Sequence, residues 1–369
     1  MSTSLPRLDR QSAVRHPLDR VERQPRTCIW ELTRACNLHC VHCDNHAATP
    51  TTDELSLTQL LNTADELKSL GCRLVDVTGG EPLLRPGWDV LCKRLTGHSI
   101  DVVLVSNGTL FTDAALELAR QAGVVAVGVS VDGLKTTHDN TRRFLGHRDS
   151  AFDAAIAGIR KAQKLFPVTV ITQVNQTNLR ELPAIGRFLG ELKVARWQLQ
   201  LAIPTPRVLA HSRSYAILPQ QLEEVTAFIV AASADPEIPM IHTSDNIGYA
   251  TSAEAILRRK ASGPGLWLGC VAGIRAVAIK YDGTVRGCSL LPSDFCAGNL
   301  HNESLKSIWQ DASRFAYSTE FAETHLSGGC KSCKFGTICR AGCTTMAYFS
   351  TGTTGDNPYC LCRVRESHS

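Results

Sequence analysis

No stretch of this 369-residue chain approaches the roughly 18 consecutive apolar residues of a membrane-spanning helix. Its first 26 residues, Met1–Arg26, mix Arg, Asp and Pro without an apolar core, so they do not read as a secretory signal. Charge of one sign is scarce as well. The 39 Lys and Arg stand against 35 Asp and Glu, and the net +4 is too small at this length to argue for nucleic acid. These absences read as a cytoplasmic protein with no membrane and no nucleic-acid partner. With 43% hydrophobic residues the chain can bury a large core, and its length suggests two domains.

Cysteine is what the chain has in abundance, with fifteen in all. In a cytoplasmic protein such richness points to metal rather than disulfides. Three of them stand in Thr33-Arg-Ala-Cys36-Asn-Leu-His-Cys40-Val-His-Cys43, where one loop can offer three thiolates to a single iron–sulfur cube. A cube held wholly by protein takes four, so one iron is left open. The bland alternative is zinc, with His39, His42 or His46 as a fourth ligand.

From residue 27 to 205 short apolar runs alternate with helical stretches, the pattern of a parallel sheet with helical crossovers. The predicted strands are Cys28–Leu32, Leu74–Thr78, Val102–Ser106, Val125–Ser130, Val168–Val174 and Trp197–Ile203. Helical spacing marks Leu57–Leu70, Asp113–Ala122, Phe152–Leu165 and Leu179–Leu192, with Gly71 and Gly123 placed to end two of these helices. The fold class is α/β, a partial (β/α)6 TIM-type barrel, and in such barrels active sites lie at the C-terminal strand ends. The expected organisation is a flexible tail at 1–26, a core at 27–240, a linker at 241–265 and a cysteine-rich unit at 266–369.

Strand ends carry the other polar motifs. The second runs into Thr78-Gly79-Gly80-Glu81-Pro82, where two glycines permit close backbone approach and a carboxylate can accept from an ammonium group. The third ends in Ser106-Asn107, the fourth in Ser130-Val-Asp132 and the fifth in Gln173-Val-Asn175, all ordinary strand-to-loop sequences taken singly. In the sixth, Gln198 and Gln200 share one side. Their amides face either the helical coat or the barrel interior, where they could hydrogen-bond a peptide backbone.

Taken together, the cysteine triplet and the Gly-Gly-Glu-Pro string resemble the radical S-adenosylmethionine enzymes. That resemblance implies that S-adenosylmethionine chelates the open iron and is cleaved to a 5′-deoxyadenosyl radical. It also implies that Gly79, Gly80, Glu81, Ser106, Asn107, Ser130, Asp132 and Asn175 surround the cofactor. His138-Asp-Asn-Thr-Arg142 resembles a stretch that puts an arginine on the cofactor carboxylate, with Arg143 as the neighbouring alternative.

Near the C-terminus, Cys270, Gly283 and Cys288 precede Cys330, Cys333, Cys339, Cys343 and finally Cys360. Cys330, Cys333, Cys339 and Cys343 alone would suit a zinc ribbon. The whole order resembles the SPASM extension, which implies two auxiliary [4Fe–4S] clusters and three in total. Cys330, Cys333, Cys339 and Cys360 would hold the outer one. Cys270, Cys288 and Cys343 would hold the inner one, with an open iron unless Cys296 or Cys28 closes it.

Cys72 and Cys92 read as core, while Cys296 and Cys362 are candidate ligands or hydrogen-atom donors. In sulfatase-maturing relatives an aspartate base follows the inner cysteine. Here that residue is Ser289, leaving Asp294 as the nearest replacement.

The function this resemblance implies first is oxidation or crosslinking of a ribosomally made precursor peptide. A flavodoxin or ferredoxin would supply electrons, and the leader would be gripped by the tail, the barrel rim or a separate protein. The alternatives are a small-molecule dehydrogenase, decarboxylase or epimerase acting on an amino sugar, tetrapyrrole or other metabolite, and a non-enzymatic iron–sulfur or zinc scaffold.

Overall fold

The computed structural model describes residues 16–45, 47, 49–146, 149–259 and 265–366. His46 and the first fifteen residues of the expected tail lie outside them, as do residues 260–264 of the expected linker.

Seven parallel strands lie side by side in chain order: β1 (Thr27–Glu31), β2 (Leu74–Thr78), β3 (Asp101–Ser106), β4 (Ala126–Ser130), β5 (Val168–Val174), β6 (Arg196–Leu201) and β7 (Ile241–Thr243). Such an order results when each strand–helix–strand crossover turns the same right-handed way. The first six lie within two residues of the predicted strands. Beyond them the sheet gains β7 at one edge. At the other edge β8 (Ala276–Ile279) pairs in parallel with β1, followed by the antiparallel β9 (Thr284–Arg286) and β10 (Gly298–Asn299). The expected linker therefore begins with a strand of the main sheet, and the cysteine-rich unit contributes three more.

Alternation along each strand divides two environments. Cys28 and Trp30, Val75 and Val77, Val102 and Leu104, and Trp197 and Leu199 pack into the core with the helices. Trp197, for example, meets Phe228 of helix Leu222–Ala232 edge to face. Asp76, Gln173, Gln198, Gln200 and His242 take the intervening positions and face the barrel interior.

The crossover helices start where local chemistry says they should. Ser56 and Gln59 form a reciprocal capping box ahead of Leu57–Ser69, and Thr112 and Ser150 cap Asp113–Gln121 and Ala151–Ala162. Gly71 and Gly123 follow two helix ends with φ near +80°, a conformation that favours glycine. Upstream of β1 the chain is tied down rather than loose. Helix Pro17–Arg20 buries Leu18, Asp19 pairs with Arg340 at 2.7 Å, and Gln24 N donates to Ile274 O at 3.0 Å.

Candidate active site and metal centres

β1 delivers the cysteine loop to the C-terminal end of the sheet, and three devices fix it there. Glu54 accepts from Thr33 Oγ1 and Arg34 N, both at 2.8 Å. A short antiparallel ribbon pairs Leu38–Cys40 with Arg142–Phe144. Gly80 N and Glu81 N donate to Thr33 O and Ala35 O, each at 2.7 Å. A Cβ at Gly80 would lie 2.2 Å from Ala35 O, so the close approach this glycine permits is to the cysteine loop itself.

Cys36, Cys40 and Cys43 then line one cleft together with Gly79, Gly80, Ser106, Asn107, Ser130 and Arg142. Burial pushes the thiols of Cys36 and Cys40 up to about 11 and about 12, so metal loading must displace their protons.

Glu81, Asp132 and Asn175 belong to the supporting structure behind this cleft. Glu81 is fully buried and accepts from Ser106 Oγ and Asn107 N, both at 2.9 Å. Burial pushes its carboxyl up to about 7. Asn175 Nδ2 donates to Tyr215 Oη at 3.1 Å, and Tyr215 Oη meets His42 Nδ1 at 3.0 Å. His42 Nε2 lies 3.3 Å from Asp132 Oδ2, which also accepts from Arg142 Nε at 2.6 Å. Arg142 Nη1 finally reaches Cys40 Sγ at 3.8 Å.

Burial lowers His42 to about 4, so the ring is neutral at pH 7. Donor and acceptor roles then settle the tautomer, with Tyr215 O–H donating to Nδ1 and Nε2–H donating to Asp132. Burial alone would raise the Asp132 carboxyl, but the Arg142 charge and His42 outweigh it and hold it lower. Sequence reading passed over His42 as more than a zinc alternative. Its place between Cys40 and Cys43 was the available signal.

The C-terminal cysteines fall into two groups. Cys330, Cys333, Cys339 and Cys360 ring one cavity, with Cys362 also on its wall. Cys270, Cys288 and Cys343 neighbour one another. The Cys343 thiol is raised first by burial and then by Cys270 and Cys288, and Thr345 Oγ1 lies 3.8 Å from Cys288 Sγ. Cys28 is sealed in the core beside Cys72, and Cys296 is exposed with its thiol on Gly298 O. Cys72 and Cys92 are buried core residues, as expected. Asp294 is exposed and accepts from Tyr348 Oη at 3.0 Å, away from the cofactor cleft.

Among the described residues no three His, Cys, Asp or Glu side chains are gathered for one metal ion. Four thiols around one cavity and three lining the cofactor cleft are donor sets that suit iron–sulfur cubes.

The Radical SAM superfamily profile matches residues 30–189, and an iron–sulfur cluster-binding domain called SPASM matches residues 270–334. The AdoMet-dependent heme synthase of Methanosarcina barkeri is 31% identical over 355 residues, 92% of this chain and 97% of that protein.

The chain belongs to the radical SAM superfamily.

It is an enzyme of that superfamily with a SPASM domain, binding S-adenosylmethionine and iron–sulfur clusters. The mycofactocin maturase MftC of Mycolicibacterium smegmatis is 28% identical over 344 residues, 90% of this chain and 81% of that one. Among solved structures, anSMEcpe with bound AdoMet and the Cp18Cys peptide superposes with a TM-score of 0.67 at 17% identity, covering 92% and 94% of the two chains. At that identity the likeness speaks for the radical SAM fold alone.

One part of the interior went unrecognised as a unit in the sequence. Gln173 stands beside Gln200 across β5 and β6, and Gln198 beside His242 across β6 and β7. Gln173 Oε1 and His242 Nε2 are buried without a hydrogen-bond partner among the described residues. The two glutamines of β6 were visible in the sequence. Their neighbours were not, because β7 is only three residues long.

Proposed function

We propose that this radical SAM enzyme oxidises or crosslinks a ribosomally made peptide. The observation that carries the reading is the interior wall of Gln173, Gln198, Gln200 and His242. A peptide backbone offers N–H and C=O groups side by side, and a carboxamide can meet both. Burying Gln173 Oε1 and His242 Nε2 unpaired is costly, so a substrate that pairs them gains affinity and register. MftC, named as a maturase, supports the same reading.

In this proposal Cys36, Cys40 and Cys43 hold the first cube. Gly79, Gly80, Ser106, Asn107, Ser130 and Arg142 contact S-adenosylmethionine, while Glu81, Asp132 and Asn175 hold those contacts in place. When bound, the cluster and cofactor supply a 5′-deoxyadenosyl radical that takes hydrogen from carbon. The chain's own residues fix the peptide against the wall and shield the reacting carbon from water. Loss of one hydrogen atom, one proton and one further electron makes a two-electron oxidation, and clusters held by the C-terminal cysteines would supply an acceptor for the last electron. A flavodoxin or ferredoxin fits as reductant.

A second reading is oxidation of a carboxylate-bearing tetrapyrrole. The likeness to heme synthase favours it, as do the cations Arg143 and Arg207 beside the cysteine loop, where Arg207 Nη2 lies 3.5 Å from His39 Nε2. Anaerobically reconstituted enzyme with dithionite should form 5′-deoxyadenosine and shorten the mass of a co-expressed precursor peptide by two hydrogens. An unchanged peptide alongside turnover of an iron tetrapyrrole would replace the first reading with the second.

A further inference from the structure

The cavity ringed by Cys330, Cys333, Cys339 and Cys360 is otherwise lined by apolar groups, among them the Phe335 ring, Ala250 and Ala341. One side-chain amide breaks that pattern. Asn357 is 1% exposed and lines the cavity. Its Oδ1 accepts from Tyr359 N at 2.9 Å, which settles which end of the amide is oxygen. Its Nδ2 has no hydrogen-bond partner among the described residues. The same residue's backbone N–H already favours the charged form of the Cys330 thiol. Gly342, with φ of +70°, lets the amide come this close, since a Cβ there would stand 2.8 Å from Nδ2.

A buried donor without an acceptor is rare in folded proteins and calls for an occupant. We propose that Asn357 Nδ2 donates a hydrogen bond to a sulfur of the outer iron–sulfur cluster and raises its reduction potential. The sign follows from charge. Reduction adds an electron to an already anionic thiolate-ligated cube, and an apolar cavity opposes that addition, while a donor aimed at sulfur eases it. Asn357 is thus a tuning residue that makes the outer cluster a better electron acceptor than it would be without the amide. Tyr249 occupies the path between them. Its ring lines the outer cavity, and its hydroxyl accepts from Cys343 N at 2.9 Å on the inner side.

The inference rests on the reading of these four thiols as cluster ligands, and the test separates the two. The full chain carrying Cys36→Ala/Cys40→Ala/Cys43→Ala is reconstituted so that only auxiliary signals remain. An EPR-monitored redox titration then compares it with the same chain carrying Asn357→Leu or the isosteric Asn357→Asp. One auxiliary midpoint should move to lower potential in both variants, further in Asn357→Asp because it adds negative charge, with the other midpoint unmoved. Unchanged midpoints at full iron content overturn the proposal, and so does loss of the outer cluster's iron from both variants, which would make Asn357 merely structural. Absence of auxiliary iron from the parent chain would instead overturn the ligand reading itself.

Discussion

At the scale of single residues, Asp76 is the clearest source of pH dependence. It sits on the interior side of β2, two positions before Thr78 at the cofactor cleft, and burial alone pushes its carboxyl up to about 6. A folded-state value above the unfolded one means that the native protein holds this proton more tightly. The resulting penalty is absent below about pH 4, develops as pH rises to 6 and persists above it. Asp76→Asn should therefore stabilise the protein by roughly 2–3 kcal/mol at pH 8 and by nothing at pH 3.5. Denaturant midpoints at the two pH values check this, and an equal effect at both would contradict it.

The buried relay behind the cleft gives a second expectation. Tyr215→Phe leaves His42 Nδ1 without its donor, at a cost of about 1–3 kcal/mol. Urea unfolding of the apo chain should report that loss, and an unchanged midpoint would mean that the hydroxyl carries no weight.

Among elements, the turn after β2 and the cysteine loop act as one body. Gly80→Ala forces a Cβ toward Ala35 O at a separation no real contact tolerates. The loop must move, and the expected result is loss of about four irons, one cube's worth. Iron counting with S-adenosylmethionine cleavage checks it, and full iron with normal cleavage would show that the loop can yield.

The same elements mark what could be read from the sequence. β1 to β6 and the capped helices were legible because alternation, Ser and Thr caps and glycine stops are local signals. The cysteine sets were legible because ligand spacing is written along the chain. β7 and β8 were not, being three and four residues long and stabilised by partners far away in sequence. The roles of Asp132 and Asn175 behind the cleft depend on Tyr215 and His42 meeting in space, which no spacing encodes.

For the molecule as a whole, the ten-stranded sheet joins the two cysteine-bearing regions. β8 covers the edge of β1, the strand that leads into Cys36. A chain cut after residue 265 should expose that edge and aggregate, because an uncovered strand templates pairing with other chains. Size-exclusion chromatography of the truncated protein, expected to elute as soluble aggregate, tests this, and a stable monomer would show that β1 needs no cover.

The pairing also orders events on the ribosome. β1 emerges early, yet its second neighbour is not made until Ala276–Ile279 has been translated. At about 5–20 residues per second that wait is on the order of ten to fifty seconds. Throughout it, Cys36, Cys40 and Cys43 hang from a strand with one bare flank. A nascent chain stalled before β8 would therefore leave β1, the strand that leads into Cys36, open to pairing with another chain.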